Sequence, residues 1–155
     1  MPQEILNSLI LFIPELIIVL AIILAIIFDL IPNTKSYVKE ISIIGLFFAM
    51  VLKLYSYGVS NEYIFYNMLI IDSFSDLFKI AIIFTTISIF IISKYISEVD
   101  KEYKNEYYVL LLSMCLGMLL LVSSTNLIMI YLSMELIGIP SYILAGMNKK
   151  DKLSN

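Results

Sequence analysis

A single carboxylate, Glu135, stands near the middle of an apolar run from Leu127 to Met147 whose only other ionisable side chains are Tyr131 and Tyr142. A helix of about 20 residues crosses the ~30 Å hydrocarbon core of a bilayer. With a rise of about 1.5 Å per residue, Glu135 falls roughly 13 Å from one end of such a helix. A charge at that depth costs roughly 2.5–3.5 kcal/mol on insertion scales, and ionisable residues inside a membrane are functional by default. The chemistry open to an acid there is proton handling: a carboxyl that takes up and releases a proton. The plain alternative is a glutamate tolerated where helices face one another. Tyr131 lies one turn before Glu135 on the same helix face; it is placed to hydrogen-bond the carboxyl, although packing is the ordinary role of such a tyrosine. Lys79, one turn inside another apolar segment, reads as a snorkelling lysine paired with Asp72 or Asp76. Its sharper reading is a polar contact feeding a buried proton route.

Other chemistries have no residues to work with. The 155 residues contain no histidine and one cysteine, Cys115, which lies in an apolar run and reads as a small buried hydrophobe. No glycine-rich phosphate loop, Cys pair or Ser/His arrangement is present, so no recognisable motif would bind NADH, flavin, an iron–sulfur cluster or a metal. A net charge of −3 offers no nucleic-acid surface. Hydrophobic residues make up 61% of the sequence, against about 45–50% in soluble domains, and the mean hydropathy is +0.96. The sequence is that of an integral membrane protein.

The elements that must position Glu135 follow from the hydropathy pattern. It predicts an all-α, polytopic transmembrane helical bundle in one region, 1–155, with about five spans at 5–28, 41–57, 77–95, 107–122 and 127–147. Residues 1–31 have no basic n-region, so the first apolar segment reads as a retained helix and not a cleaved signal peptide. Pro14 and Glu15 suit the first turn of a helix that begins near residue 14, with residues 5–13 as a lipid-contacting lead-in. Asp29 reads as interfacial. Lys53 sits where it can snorkel, and Tyr55 and Tyr57 suit the aromatic belt. The mixed segment 58–75 has no assignable local structure, but its end, Asp72 to Asp76, offers caps for the third span. Ser123 to Asn126 is too short a link for anything but an antiparallel hairpin of the last two spans. Thr125 or Asn126 can cap the final helix. Ser133, Gly138, Ser141 and Ala145 keep that helix slim for close packing, and Pro140 removes one of its backbone hydrogen bonds.

The lysines set the orientation, since the sequence has no arginine. Eight of the ten (Lys35, Lys39, Lys94, Lys101, Lys104, Lys149, Lys150 and Lys152) fall on one side of a five-span arrangement, leaving only Lys53 and Lys79 for the other. The positive-inside rule then places the C-terminus in the cytoplasm and the N-terminus outside.

Particular residues also carry a family resemblance. The run Asn105-Glu-Tyr-Tyr-Val-Leu-Leu-Leu, the stretch Tyr131-Leu-Ser-Met-Glu135-Leu-Ile-Gly-Ile-Pro140-Ser-Tyr, the Pro14-Glu15-Leu start and the segment Asp72-Ser-Phe-Ser-Asp-Leu-Phe-Lys79 resemble subunit N of respiratory NADH–quinone oxidoreductase (complex I), one of the antiporter-like membrane subunits. The resemblance covers the whole sequence and is most specific around Glu135. It implies a translocase subunit that couples electron transfer from NADH to quinone to proton movement, and that carries no redox centre itself. NADH, FMN, iron–sulfur clusters and quinone would be held by other subunits. It implies other membrane subunits of complex I and the lipid bilayer as partners, with no nucleic acid. The location would be the cell inner (plasma) membrane, or an organellar inner membrane if the gene is organellar. For Glu135 it implies the proton-translocating carboxylate, whose usual partner is a lysine on a later, broken helix. Family members have about fourteen helices in two inverted repeats. This sequence resembles the N-terminal third, through a fragment, a split gene or a truncated gene model, and a lone piece of that extent would not pump. The other functions weighed are a subunit of a multisubunit cation/proton antiporter, a small non-transporting membrane scaffold, and a non-functional truncated fragment.

Overall fold

The computed structural model describes residues 2–31, 37–58, 61–93 and 103–147. These form α1 (Pro2–Leu11), α2 (Ile13–Leu30), α3 (Val38–Tyr55), a hairpin of β1 (Glu62–Ile64) and β2 (Leu69–Ile71), α4 (Ser73–Ile92), α5 (Lys104–Ser123) and α6 (Leu127–Met147). The expected helical bundle is present. Four of its helices, α2, α4, α5 and α6, are long and apolar enough to cross a membrane. α3 is not among them, because its eighteen residues include Lys39, Glu40 and Lys53. The charged segments 94–102 and 148–155, and most of the first loop, lie outside the described residues.

Local chemistry sets the element boundaries. The first apolar segment is two helices, not one span over 5–28. Phe12 leaves helical geometry at φ −92°, ψ 5°, and Pro14 and Glu15 occupy the first turn of α2. Proline there lacks an N–H and crowds the carbonyl four residues earlier, so the helix restarts at the position where that loss is harmless. α4 begins four residues before the expected Leu77. The Asp72 side chain accepts from the backbone N–H of Ser75 at 2.8 Å, while the Ser75 side chain accepts from the backbone N–H of Asp72 at 3.1 Å. This reciprocal capping box satisfies two of the N–H groups that a helix start leaves open. Asn126 caps α6, its Oδ1 accepting from the N–H of Ile128 at 2.9 Å.

The segment without an expected structure is an antiparallel hairpin, with Glu62 opposite Ile71 and Ile64 opposite Leu69. Its turn holds Phe65, Tyr66 and Asn67 at φ 51°, 56° and 61°. Left-handed backbone costs a side-chain-bearing residue roughly 1–2 kcal/mol, so outside contacts must hold it. Thr125 supplies two of these: its Oγ1 donates to the Asn67 carbonyl at 2.6 Å, and its N–H donates to the Met68 carbonyl at 3.1 Å. Phe65 also meets Phe12 edge-on, ring centroids 5.2 Å apart.

Contacts at the two ends fix an alternating arrangement. At one end the hairpin lies over the start of α2 and the α5–α6 turn. At the other, Asn105 at the start of α5 donates to Asp29 at the end of α2 (2.9 Å), and Ser93 after α4 contacts the Tyr108 hydroxyl of α5. Between them the core is formed by Ile18, Ala21 and Ala25 of α2, Leu46 and Ala49 of α3, Ile83 and Phe90 of α4, and Leu112, Cys115 and Leu119 of α5. Two glycines bring helix axes close. A Cβ at Gly45 would lie 2.5 Å from the Ala21 Cβ, and one at Gly117 would lie 3.2 Å from the Ser133 carbonyl of α6. Small residues allow this approach where lipid gives no hydrophobic drive for helix association.

Candidate functional site

Two groups of ionisable residues stand out, one on α6 and one between α2, α3 and α4. The first is Glu135. Ser133, Ile137 and Pro140 set the inner side of α6: Ser133 and Pro140 are buried, and Ser133 and Ile137 meet Gly117. Glu135 is two residues from both Ser133 and Ile137, which at about 100° per residue puts it on the far side of the helix from α5. It is exposed, on a face shared with exposed Ile128, Tyr131, Leu132 and Ile139. Tyr131 is therefore on the same side of α6 as Glu135, as its spacing requires, and no hydrogen bond joins the two among the described residues. α6 is the least buried of the four long apolar helices, with 11% of its most apolar window inside the bundle. Among the described residues, nothing encloses Glu135.

The second group is buried. Lys79 Nζ donates to Glu15 Oε1 at 2.7 Å, joining α4 to α2, and both side chains are no more than 3% exposed. Lys53 Nζ lies 2.5 Å from Asp76 Oδ1, joining α3 to α4. That contact brings the two charges together without the alignment of a hydrogen bond, for Asp76 Oδ1 and Glu15 Oε2 are the buried side-chain atoms with no hydrogen-bond partner among the described residues. Asp76 Oδ2 accepts a long bond from the Gly58 N–H at 3.4 Å. Lys79 also feels the charges of Lys53 and Asp76, so the two pairs make one cluster of two acids and two lysines with no net charge. Neutrality is what makes the burial tolerable, since an unpaired charge in such a place costs several kcal/mol.

Two expectations are corrected here. Lys79 pairs with Glu15, 64 residues earlier, and not with Asp72 or Asp76. Asp72 is engaged in capping α4 and Asp76 is taken by Lys53. Lys53 does not snorkel to the interface; it is 1% exposed, because a carboxylate on the neighbouring helix gives its ammonium a nearer partner than solvent. The sequence signal that could have found the cluster was positional: Glu15, Lys53, Asp76 and Lys79 all fall near span ends on the same side of the alternating topology. Cys115 is buried as expected.

Fold and site together define a multi-pass, all-α membrane chain with a neutral charge cluster inside it and one carboxylate on an outward apolar face. No family model matches the chain, whereas curated relatives do. It is 36% identical over 142 residues to NADH-quinone oxidoreductase subunit N of Dehalococcoides mccartyi, covering 90% of this chain and 29% of the relative. It is 32% identical over 157 residues to NADH-quinone oxidoreductase subunit N 1 of Solibacter usitatus, covering 99% and 31%. A third relative is the chloroplastic NAD(P)H-quinone oxidoreductase subunit 2 of Chlorokybus atmophyticus, 33% identical over 150 residues, with 96% and 29% covered. The chain belongs to the subunit N family, and it spans about 30% of the length of these relatives.

Proposed function

We propose that the chain serves in the membrane arm of an NADH–quinone oxidoreductase, in which electron transfer from NADH to quinone drives proton translocation, and that Glu135 is a carboxylate carrying the proton. The observation that carries this reading is the likeness to subunit N along nearly the whole chain. The placement of Glu135 supports it. An acid on an apolar helix face, opposite the side packed on α5, is offered to whatever protein adjoins α6 in the assembly. A cationic group arriving there would favour the charged carboxylate, and its withdrawal would favour the protonated one. Tyr131, one turn away on that side, is placed to position the carboxyl. NADH, FMN, iron–sulfur clusters and quinone belong to partner subunits. The chain would lie in a cell or organellar inner membrane, with α3 as a fifth crossing and the hairpin end on the outer side.

The test is Glu135→Gln in the assembled complex, with protons moved per quinone reduced as the readout and complex assembly as the control. The expected result is normal assembly with impaired translocation. Full translocation by the variant would reduce Glu135 to a packing residue.

A further inference from the structure

We propose that the cavity between α1, α2, α3 and β2 is the route by which aqueous protons reach the buried Glu15–Lys79–Asp76–Lys53 cluster, and that Lys53 is the group that exchanges them. The cavity has a volume of about 180 Å³, and its walls include Leu11, Pro14, Leu52, Lys53, Ser56 and Ile71. Its position is what matters. The Lys53 side chain is only 2% exposed, yet Lys53 is one of the residues around this space, so the cavity borders the cluster at this one member. A water needs roughly 10–15 Å³ of such space and two to four polar partners. The room is ample, and Lys53 and Ser56 are polar residues in its wall, with the Ser56 hydroxyl donating to the Lys53 carbonyl at 3.4 Å. An ammonium has three donors. Asp76 Oδ1, 2.5 Å away, occupies one side of the ammonium, and no other side-chain acceptor within the cluster is paired with Lys53.

The groups around Lys53 agree with this. α4 presents Asp76 and Lys79, and α2 presents Glu15 behind Lys79. The lining residues of α1 and β2, among them Leu11 and Ile71, are apolar and offer no competing charge. Asp72 is turned away to cap α4. In each exchange one N–H bond of the Lys53 ammonium breaks as an O–H bond forms on a water, and the reverse transfer from hydronium restores the ammonium. No net charge stays in the cluster. The alternative is a permanent clamp that ties α2, α3 and α4 together and is closed to water. The purpose of such an entrance rests on the proton-carrying reading above, but its test does not: it measures exchange in this chain alone, while Glu135→Gln is read as pumping by the whole complex.

The experiment uses the 155-residue chain in lipid nanodiscs with ¹⁵N-labelled lysine, the Lys53 amine signal being assigned by its loss in Lys53→Arg. In the unaltered protein the Lys53 amine should exchange with deuterated water at least tenfold faster than the amine of Lys79, which is as deeply buried in the same cluster but is not among the residues lining the cavity. Ser56→Phe, which fills the cavity from the end of α3, should slow that exchange at least tenfold at unchanged helix content. Leu52→Trp is the second plug should the first not fold. A Lys53 amine as protected as that of Lys79 would overturn the proposal without any variant, and so would an exchange rate that neither plug changes.

Discussion

The Glu15–Lys79 pair gives the sharpest quantitative test of what holds the helices together. Lys79→Met keeps the length of the side chain and removes its charge. The cluster then changes from neutral to a net −1, with the Glu15 carboxylate, 1% exposed, stripped of its 2.7 Å partner. Glu15 Oε2 already has no hydrogen-bond partner, so nothing nearby takes over. Breaking one side of a buried pair costs about 3–5 kcal/mol, or roughly two to four orders of magnitude in the folding equilibrium at about 1.4 kcal/mol per tenfold. Glu15→Leu alone leaves Lys79 as the unmatched charge and should cost a similar amount, eased where Asp76 lies within its field. The double variant restores neutrality with two apolar side chains. Replacing both members of a buried pair is often neutral or stabilising, so the double variant should lie within about 1 kcal/mol of the parent. The coupling would then be about 5 kcal/mol or more, beyond the ~0.5–3 kcal/mol usual for contacting residues. Reversible unfolding in mixed micelles, followed by helical circular dichroism, measures all four corners. Simple addition of the two losses in the double variant, or a Lys79→Met cost under about 1 kcal/mol, would refute the claim that charge balance governs this site.

Other outcomes follow from single positions. Gly117→Leu would drive a side chain into Ile137 and the Ser133 carbonyl, and should separate α5 from α6 at a cost of about 1–3 kcal/mol; the same unfolding assay reads it, and a stable variant with normal packing would contradict the close approach. Asn126→Ala removes the cap of α6 and should cost about 1 kcal/mol, seen as faster amide exchange in the first turn of α6. Tyr66→Gly should stabilise the hairpin by up to about 1 kcal/mol, since Tyr66 is 79% exposed and sits at φ 56°; thermal unfolding measures it, and a loss of stability would mean that the ring itself holds the turn. For topology, a cysteine replacing exposed Glu62 in a Cys115→Ser background should be labelled only from the outer face, and a tag after Asn155 only from the cytoplasmic face.

What could be read from the sequence was set by distance along the chain. Caps for α4 among Asp72 to Asp76 and for α6 at Thr125 or Asn126, the restart at Pro14 and the burial of Cys115 could be read from short stretches of sequence, and the structure takes Asp72 and Asn126 as the caps. The hairpin was not legible, because its register is fixed from outside by Thr125, 58 residues after Asn67. The ion pairs were misassigned for the same reason. Asp72 and Asp76 were the acids nearest Lys79 in sequence, and only folding brings Glu15 to it. Lys53 misled in a different way: at the end of an apolar helix, snorkelling and pairing with a buried acid on a neighbouring helix leave the same local pattern.

The two charged sites also differ in what they demand of their surroundings. The buried cluster is complete within this chain: two acids meet two lysines, and no further charge is needed for it to remain in a low-dielectric interior. Glu135 has no such partner among the described residues, and the side of α6 that carries it is otherwise apolar, from Ile128 through Leu132 to Ile139. Facing lipid, that carboxylate would cost roughly 2.5–3.5 kcal/mol when charged, with no compensating contact. A cluster that is neutral by itself is suited to holding helices and passing protons without a change of charge. A lone acid is suited to changing charge when a neighbour changes. On the proposed reading the change of charge falls to Glu135, while Glu15, Lys53, Asp76 and Lys79 hold α2, α3 and α4 together and, through Lys53, exchange protons with water. If Glu135→Gln stabilised the isolated chain in nanodiscs by that amount while leaving translocation by the complex intact, the division would fail at its first half.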